Sequence, residues 1–454
     1  LISINFFDMA HTAVVMTGLT GNVNSSLAVA LKLISEGHKV TCLSVLDVKK
    51  KIEPYGIPYV QLPEINFSFS NENLSHLRNS SWMKKFNYHK KNKEKIFKNS
   101  REILGLDIYE MIISNLKIDK VLIDQELHDL IFVCYNLKIP ITLLNSFFSN
   151  KMGLGLTLPP LRTNISPKKG LKGSVFGILA NWMFIKLKVQ ARIIVNKLTF
   201  KGYRRAALKK YAIASGFPFN TVISTNLPQL FSYTNLPIIS LTMAEMDFPH
   251  KPAKNFSYVG PMVYENRDLN TNSPEEKAIQ DIIKKKQQSN KKLIYCSASS
   301  LLKSEISFIK KIIKAVEKQD EWLMIISLGG KLSMDLSKIK SKNIYIFPWV
   351  PQMRILKYSD CCITPAGINS ISECIHFSVP LLVYSLKVAD QNGNANRVNY
   401  HGLGIMGDRD KDNYLEIRQK IKRIFDEPSF RHKIKVFNEK YCEYQKRALT
   451  PLLN

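Results

Sequence analysis

Residues 11–18, HTAVVMTG, form a short apolar run rich in branched side chains, and residues 39–44, KVTCLS, form a second. Runs of this kind belong to strands covered on both faces, as parallel sheets are. Between them Leu27, Leu31 and Ile34 recur at helical spacing. Asn24 is placed to cap a helix over 25–36, and Gly37 to end it. Strand, helix and strand in that order make a βαβ unit with a right-handed crossover.

The unit recurs. Residues 120–123 and 139–144 read as strands around a helix at 127–136. Further strand-length apolar runs fall at 293–297, 322–328, 344–347, 361–364 and 381–383, with helical segments such as 303–318 and 370–377 between them. Alternation over both halves predicts an α/β fold of two Rossmann-like, doubly wound domains facing across a cleft. The polar, turn-rich stretch 259–273 is the expected linker, which sets domains at 1–258 and 274–435. A chain of 454 residues is long enough for two such cores.

The formal charge is 65 − 37 = +28, which suits nucleic acid or an anionic lipid surface. No RNA-recognition signature, zinc finger or helix-turn-helix pattern is present, so nucleic acid is not an expected partner. Lysines cluster at 84, 85, 90, 91, 93, 95, 98 and 284–286, as on a solvated surface. The apolar stretch 173–185 is 13 residues, too short to span a bilayer. Lys168, Lys169 and Lys172 precede it, and Arg204, Arg205, Lys209 and Lys210 follow. That arrangement suits peripheral contact with an anionic membrane or a greasy ligand, or else a helix packed on the first domain with its basic face in water. Seven scattered cysteines without zinc-ligand spacing read as buried thiols in the cytoplasm.

The stretch 349–404 carries the chemistry. It opens W-V-P-Q and reaches Thr364-Pro365-Ala366-Gly367-Ile368-Asn369-Ser370 at the end of an expected strand. A Gly-containing turn that opens a helix offers free N–H groups and positive dipole potential to a phosphate. Asn369 and Ser370 add side-chain donors, and Glu373 can accept from sugar hydroxyls. Asp390-Gln391 follows a later strand end, where ligands of open α/β sheets bind.

Taken in order, W-V-P-Q, fourteen residues, G-x-N-S-x-x-E, six residues, P, nine residues and D-Q-x-x-N-A closely resemble the nucleotide-sugar signature of the UDP-glycosyltransferase superfamily, the GT-B enzymes of natural-product and lipid glycosylation. GLTGNVNSSLAVALKLISEGHKV resembles that family's first loop and helix, LIYCSASS its phosphate-binding strand end, and NFSYVGP its stretch before the linker. The resemblance implies that Trp349 stacks on the uracil, with Val350 in the same donor-binding stretch. Gln352 would contact uracil or ribose and Glu373 the ribose hydroxyls. Ser300, Gly367, Asn369 and Ser370 would line the diphosphate, and Asp390 and Gln391 would bind the transferred sugar. It also implies inversion at the anomeric carbon without a bound metal, a UDP-sugar co-substrate (UDP-glucose by analogy), a hydrophobic small-molecule or lipid-like acceptor, and a helix over 436–454 that crosses back to the first domain. Asp408-Arg409-Asp410 formally matches a metal motif of a different glycosyltransferase fold, outside its context, and no metal site is expected.

Four positions depart from the family. Asn22 stands where its catalytic His is usual, and an amide cannot act as a general base. Pro365 replaces a second His at the diphosphate, Ala366 beside it replaces a Gly, and Ser299 replaces another Gly. The residue that normally orients the missing base is kept as Asp124. Three explanations stay open: Asp124 is itself the base, His128 or His11 substitutes, or the chain is a catalytically degenerate binding or regulatory subunit.

Overall fold

The computed structural model describes residues 10–63, 80–98, 106–152, 158–199, 203–225, 229–268, 274–298, 305–329 and 341–452. Among them, the first half holds β1 (His11–Met16), β2 (Lys39–Ser44), β3 (Tyr59–Gln61), β4 (Lys120–Asp124), β5 (Ile141–Asn145), β6 (Val222–Ser224), β7 (Phe231–Tyr233), β8 (Ile238–Ser240) and β9 (Phe256–Tyr258). Seven of these form a parallel sheet in the order β3-β2-β1-β4-β5-β8-β9, and β6 pairs antiparallel with β7 beside it.

The second half holds β10 (Lys292–Ser297), β11 (Trp322–Ser327), β12 (Ile344–Phe347), β13 (Cys361–Thr364), β14 (Leu381–Val383) and β15 (Gly404–Met406). These form a second parallel sheet, ordered β12-β11-β10-β13-β14-β15. The two Rossmann-like halves expected from the sequence are therefore present.

Alternate residues of each central strand go to opposite cores. Ala13 and Val15 join the cluster around Phe132 and Tyr233, whereas Val14 and Met16 pack with Leu27, Leu33 and Cys42. In the second sheet Leu293 and Tyr295 face Ile371 and Ile375, while Ile294 and Cys296 face Ile312 and Ile421. Burial on both faces is why these strands read as unbroken apolar runs. Six of the seven cysteines are buried, Cys442 alone being exposed. Burial pushes the Cys42 and Cys134 thiols up to about 12, which leaves them unreactive near neutral pH.

Strand order reverses between β1 and β4 in one sheet and between β10 and β13 in the other. Connections leave to opposite faces at such a point, so a crevice opens at the carboxyl ends of the strands. The loops after β1, β4 and β13 all open there. Near the C-terminus, the helix Pro428–Lys446 leads back to the first half. Lys32 Nζ reaches Gln445 O at 2.8 Å, and the Glu36 carboxylate accepts from the backbone of Leu449 and Thr450.

Candidate active site

After β1 the chain turns at Gly18, whose φ of +87° and tight contact with Leu46 Cβ leave no room for a side chain. The helix then begins at once, spanning Thr20–Ser35 with Leu19 before it. This corrects the expected start at 25 with Asn24 as cap. The turn at Gly18 is sharp enough that no six-residue loop intervenes, and Asn24 lies inside the helix. The early start puts Asn22 in the first turn, at the switch point.

Asn22 Nδ2 donates to Asp124 Oδ2 at 2.5 Å and to Thr17 Oγ1 at 3.1 Å. Its carbonyl oxygen is left to accept. Asp124, at the end of β4, also receives the Glu126 N–H on Oδ1 at 2.9 Å. Burial raises the Asp124 carboxyl to about 6, against the hydrogen bonds from Glu126 N–H and Asn22. Glu126, in the turn after β4, is raised to about 8 by burial and by the facing carboxylates of Asp124 and Asp390. Nothing in the sequence motifs marked Glu126. Its signal is position alone, two residues past a buried strand-end aspartate.

The other histidine candidates are not brought to this pair. His128 is 4% exposed, with Nδ1 at 2.7 Å from Tyr233 Oη and Nε2 at 3.3 Å from the Phe231 N–H. A backbone N–H can only donate, so Nε2 is the acceptor and the proton sits on Nδ1. Both nitrogens serve the core. His11 opens β1, at the opposite end of the strand from the crevice, and bonds Thr41 Oγ1 at 2.8 Å.

On the second half, β13 runs into Pro365 and Ala366, and Gly367 precedes the helix Ile368–His376. No side chain caps that helix, so its first N–H groups are available to an anion. Ala366 is fully buried with φ +68°, a conformation that favours glycine. Asn369 Nδ2 crosses to the first half and donates to Gly21 O at 2.6 Å. The turn suited to phosphate is thereby tied to the residue before Asn22.

Gln352 joins several donor candidates. Its Oε1 accepts from Tyr295 Oη at 2.9 Å, and its Nε2 donates to Glu373 Oε2 and reaches Ser370 Oγ at 3.5 Å. Glu373 is 2% exposed, and Arg267 Nη1 donates to its Oε1 at 2.6 Å. Arg267 lies in the expected linker, and the motifs gave no sign of it. Trp349 is half exposed, and its flat π-face is the kind of surface on which a planar ligand stacks. Val350 is buried in the core, so any contact it makes with a donor runs through its backbone. Ser299 and Ser300 lie outside the described residues.

Asp390 is buried before the helix Gln391–His401. Asn394 Nδ2 donates to Asp390 Oδ2 at 2.7 Å and to Ala366 O at 3.1 Å, which links the two loops. Burial raises Asp390 to about 6. Gln391 Oε1 accepts from Leu386 N–H at 3.0 Å. A Cβ on Gly393 would meet Leu161 O at 2.1 Å, so glycine lets the 158–166 segment lie on this helix. Farther along, Arg397 pairs with Asp247 of the first half. Asp390, Asn394, Arg397 and His401 share one helical face, and that polar stripe is the signal the motif reading passed over. Asp408 and Asp410 are spent on a turn and on Lys387, and no cluster of metal-ligand type occurs among the described residues.

The family described as UDP-glucoronosyl and UDP-glucosyl transferase matches residues 14–439, and the chain belongs to it. Among curated relatives, YdhE of Bacillus subtilis (strain 168), described as an uncharacterized UDP-glucosyltransferase, is 32% identical over 159 residues, 35% of this chain and 39% of that one. The zeaxanthin glucosyltransferase of Pantoea ananas is 28% identical over 190 residues, 41% of each. The match spans about two fifths of the length of these relatives. The solved kitacinnamycin glycotransferase superposes with a TM-score of 0.62 at 16% identity, covering 96% of both chains. Os79 of O. sativa, solved in complex with UDP, gives 0.60 at 13% identity, covering 97% of this chain and 98% of that one. These likenesses show the shared GT-B fold.

Proposed function

We propose that the protein is an inverting glycosyltransferase that moves a sugar from a UDP-sugar to a hydrophobic, small-molecule or lipid-like acceptor. One observation carries the reading: the Asn369–Gly21 hydrogen bond, which sets the open helix start of one half against the Asn22–Asp124 pair of the other. In this reading residues 1–258 hold the acceptor, 274–435 hold the donor, 259–273 link them and 436–454 return to the first half.

Trp349 stacks on the uracil, while Gln352 and Glu373 take the ribose. The N–H groups opening Ile368–His376, with Asn369 and Ser370, receive the diphosphate and the charge that grows on it as UDP departs. Asp390 and Gln391 bind the sugar's hydroxyls. The acceptor hydroxyl lies beside Asn22, with its oxygen aimed at the anomeric carbon and its O–H toward the Asp124–Glu126 carboxylates. The new bond forms opposite the breaking bond to UDP. The acceptor's proton passes to the Asp124–Glu126 carboxylates, whose raised proton affinity suits a base near neutral pH. The names of the relatives make UDP-glucose the first donor to test, and a cytoplasmic setting with peripheral membrane contact accords with such an acceptor.

A second reading, a degenerate binding subunit, is favoured by Asn22, which donates both amide protons and cannot take one. Calorimetric titration with UDP and UDP-glucose tests both. The transferase reading expects binding that Trp349→Ala weakens about 5- to 100-fold, as loss of base stacking does. Absence of binding to UDP and to other nucleoside diphosphates would sink it. Binding without transfer to any hydroxyl acceptor in a broad screen would favour the degenerate reading.

A further inference from the structure

The helix Val175–Leu198 has two apolar faces, of which one is covered. Ile178 and Trp182 pack with Ile165, and Trp182 Nε1 donates to Leu158 O at 2.7 Å. The opposite face is bare: Phe176, Met183, Phe184, Leu187, Ile194 and Leu198 are all exposed, Phe176 by 83%. Phe176, Met183, Leu187, Ile194 and Leu198 follow one another at steps of seven and four and make one stripe along a helix about 36 Å long, with Phe184 at its edge. A bare apolar stripe of this length marks an interaction surface.

The rim of the stripe names the partner. On a helical wheel Lys186 and Lys197 fall along one edge, Lys188 and Arg192 along the other. The helix contains no Asp or Glu. Leu171, 91% exposed, and Lys168, Lys169 and Lys172 extend the same composition ahead of it. A protein partner of mixed charge has no use for a rim of one sign. An anionic bilayer does, since its headgroups meet the cations while its acyl boundary takes the stripe. None of the described helices is long and apolar enough to cross a membrane.

We propose that the bare face of the helix Val175–Leu198 seats the protein on an anionic lipid surface, with the helix lying in the plane of the interface. Asn181 of the same helix lines a cavity of about 300 Å³ together with Arg162, Ser385, Lys387 and Asn392. Ser385 and Asn392 bracket the loop that carries Asp390, so an acceptor taken from the bilayer enters beside the sugar site. That consequence rests on the transferase reading. The docking does not.

Flotation of the full chain with lipid vesicles tests it. The protein should float with phosphatidylcholine vesicles containing about 30% phosphatidylglycerol at least about tenfold more than with phosphatidylcholine alone. Phe184→Glu with Leu187→Glu should abolish flotation while circular dichroism and UDP affinity stay as in wild type. Lys186→Gln with Lys188→Gln and Lys197→Gln should confine flotation to lower salt. Leu187→Trp should shift its emission to the blue on adding anionic vesicles. No flotation of wild type, or flotation of the double Glu variant at the wild-type level, overturns the proposal. So does a wild-type dimer that the double Glu variant dissociates, because a second copy then covers the stripe. Loss of UDP binding in wild type would instead overturn the transferase reading and leave the docking intact.

Discussion

Arg397 and Asp247 form an ion pair between the two halves of the protein, with the guanidinium Nε and Nη2 at 2.9 and 2.5 Å from Asp247 Oδ1. Both side chains are almost wholly out of water. Phe148 and Phe248 lie on the guanidinium, and Tyr258 Oη donates to the second carboxylate oxygen at 2.7 Å. Burial lowers His401, on the same helix, to about 4 and keeps it neutral beside this pair. Truncating one partner strands the other as an unpaired buried charge. Arg397→Met should therefore cost about 3–5 kcal/mol in urea unfolding. Adding Asp247→Asn should recover part of that loss, so the two changes together cost less than their sum.

Asp124→Asn should lower the transfer rate by about 10²- to 10⁴-fold with UDP affinity unchanged, the span expected for a positioned proton acceptor. Asn22→His should instead raise the rate on hydroxyl acceptors at least about tenfold, because the imidazole can take the proton and Asp124 already stands at hydrogen-bond distance. Steady-state kinetics on both variants is the check. No gain from histidine means that the carboxylates already do this work.

Glu126 ties stability to pH. Its folded pKa, raised by burial and by Asp124 and Asp390 to about 8, lies above the ordinary 4.5. The folded protein thus holds a proton that the unfolded chain has released. The associated stability is full below about 4.5 and lost as pH rises through 8. Glu126→Gln should leave unfolding nearly unchanged at pH 4 and stabilise at pH 8 by at least about 1 kcal/mol, since one pKa unit corresponds to about 1.4 kcal/mol. Urea midpoints across that range measure it. The same residue makes kcat/KM rise between about pH 6 and 8 in wild type, and the glutamine variant should flatten that rise.

Ala366 holds φ +68° at a buried turn. Left-handed backbone costs an L-residue about 1–2 kcal/mol, which glycine escapes. Ala366→Gly should raise stability by roughly 1 kcal/mol, less the contacts of the lost methyl, as read by thermal unfolding.

Elements covered on both faces were plain in the sequence. β2, β12, β13 and β14 fall where their apolar runs end, because every residue of a doubly buried strand must be apolar or hydrogen-bonded. β3, β8, β9 and β15 are as short as β14 but each contains a polar residue or a glycine, so no unbroken apolar run marks them. The helix Gln391–His401 is polar on the page because its partners are remote: Arg397 meets a residue 150 positions away. For Val175–Leu198 the sequence showed apolar residues all round, and only packing decides that Trp182 faces in and Phe184 out. The candidate donor motif could be read because its residues adjoin strand ends. Glu126 and Arg267 could not, since each acquires its meaning from a carboxylate on another element.

The Asn369–Gly21 hydrogen bond and the Arg397–Asp247 pair join the same two bodies with very unequal strength. The first is a neutral bond at an exposed edge, worth about 1 kcal/mol when broken. The second is sealed from water and several times costlier to part. The halves are therefore held more firmly at the helix Gln391–His401 than at Asn369. On the transferase reading, the looser contact lies at the proposed diphosphate turn and the firmer one at the proposed sugar end. On that reading a bulky nucleotide comes and goes at the looser edge, without disturbing the stretch proposed to recognise the sugar it carries.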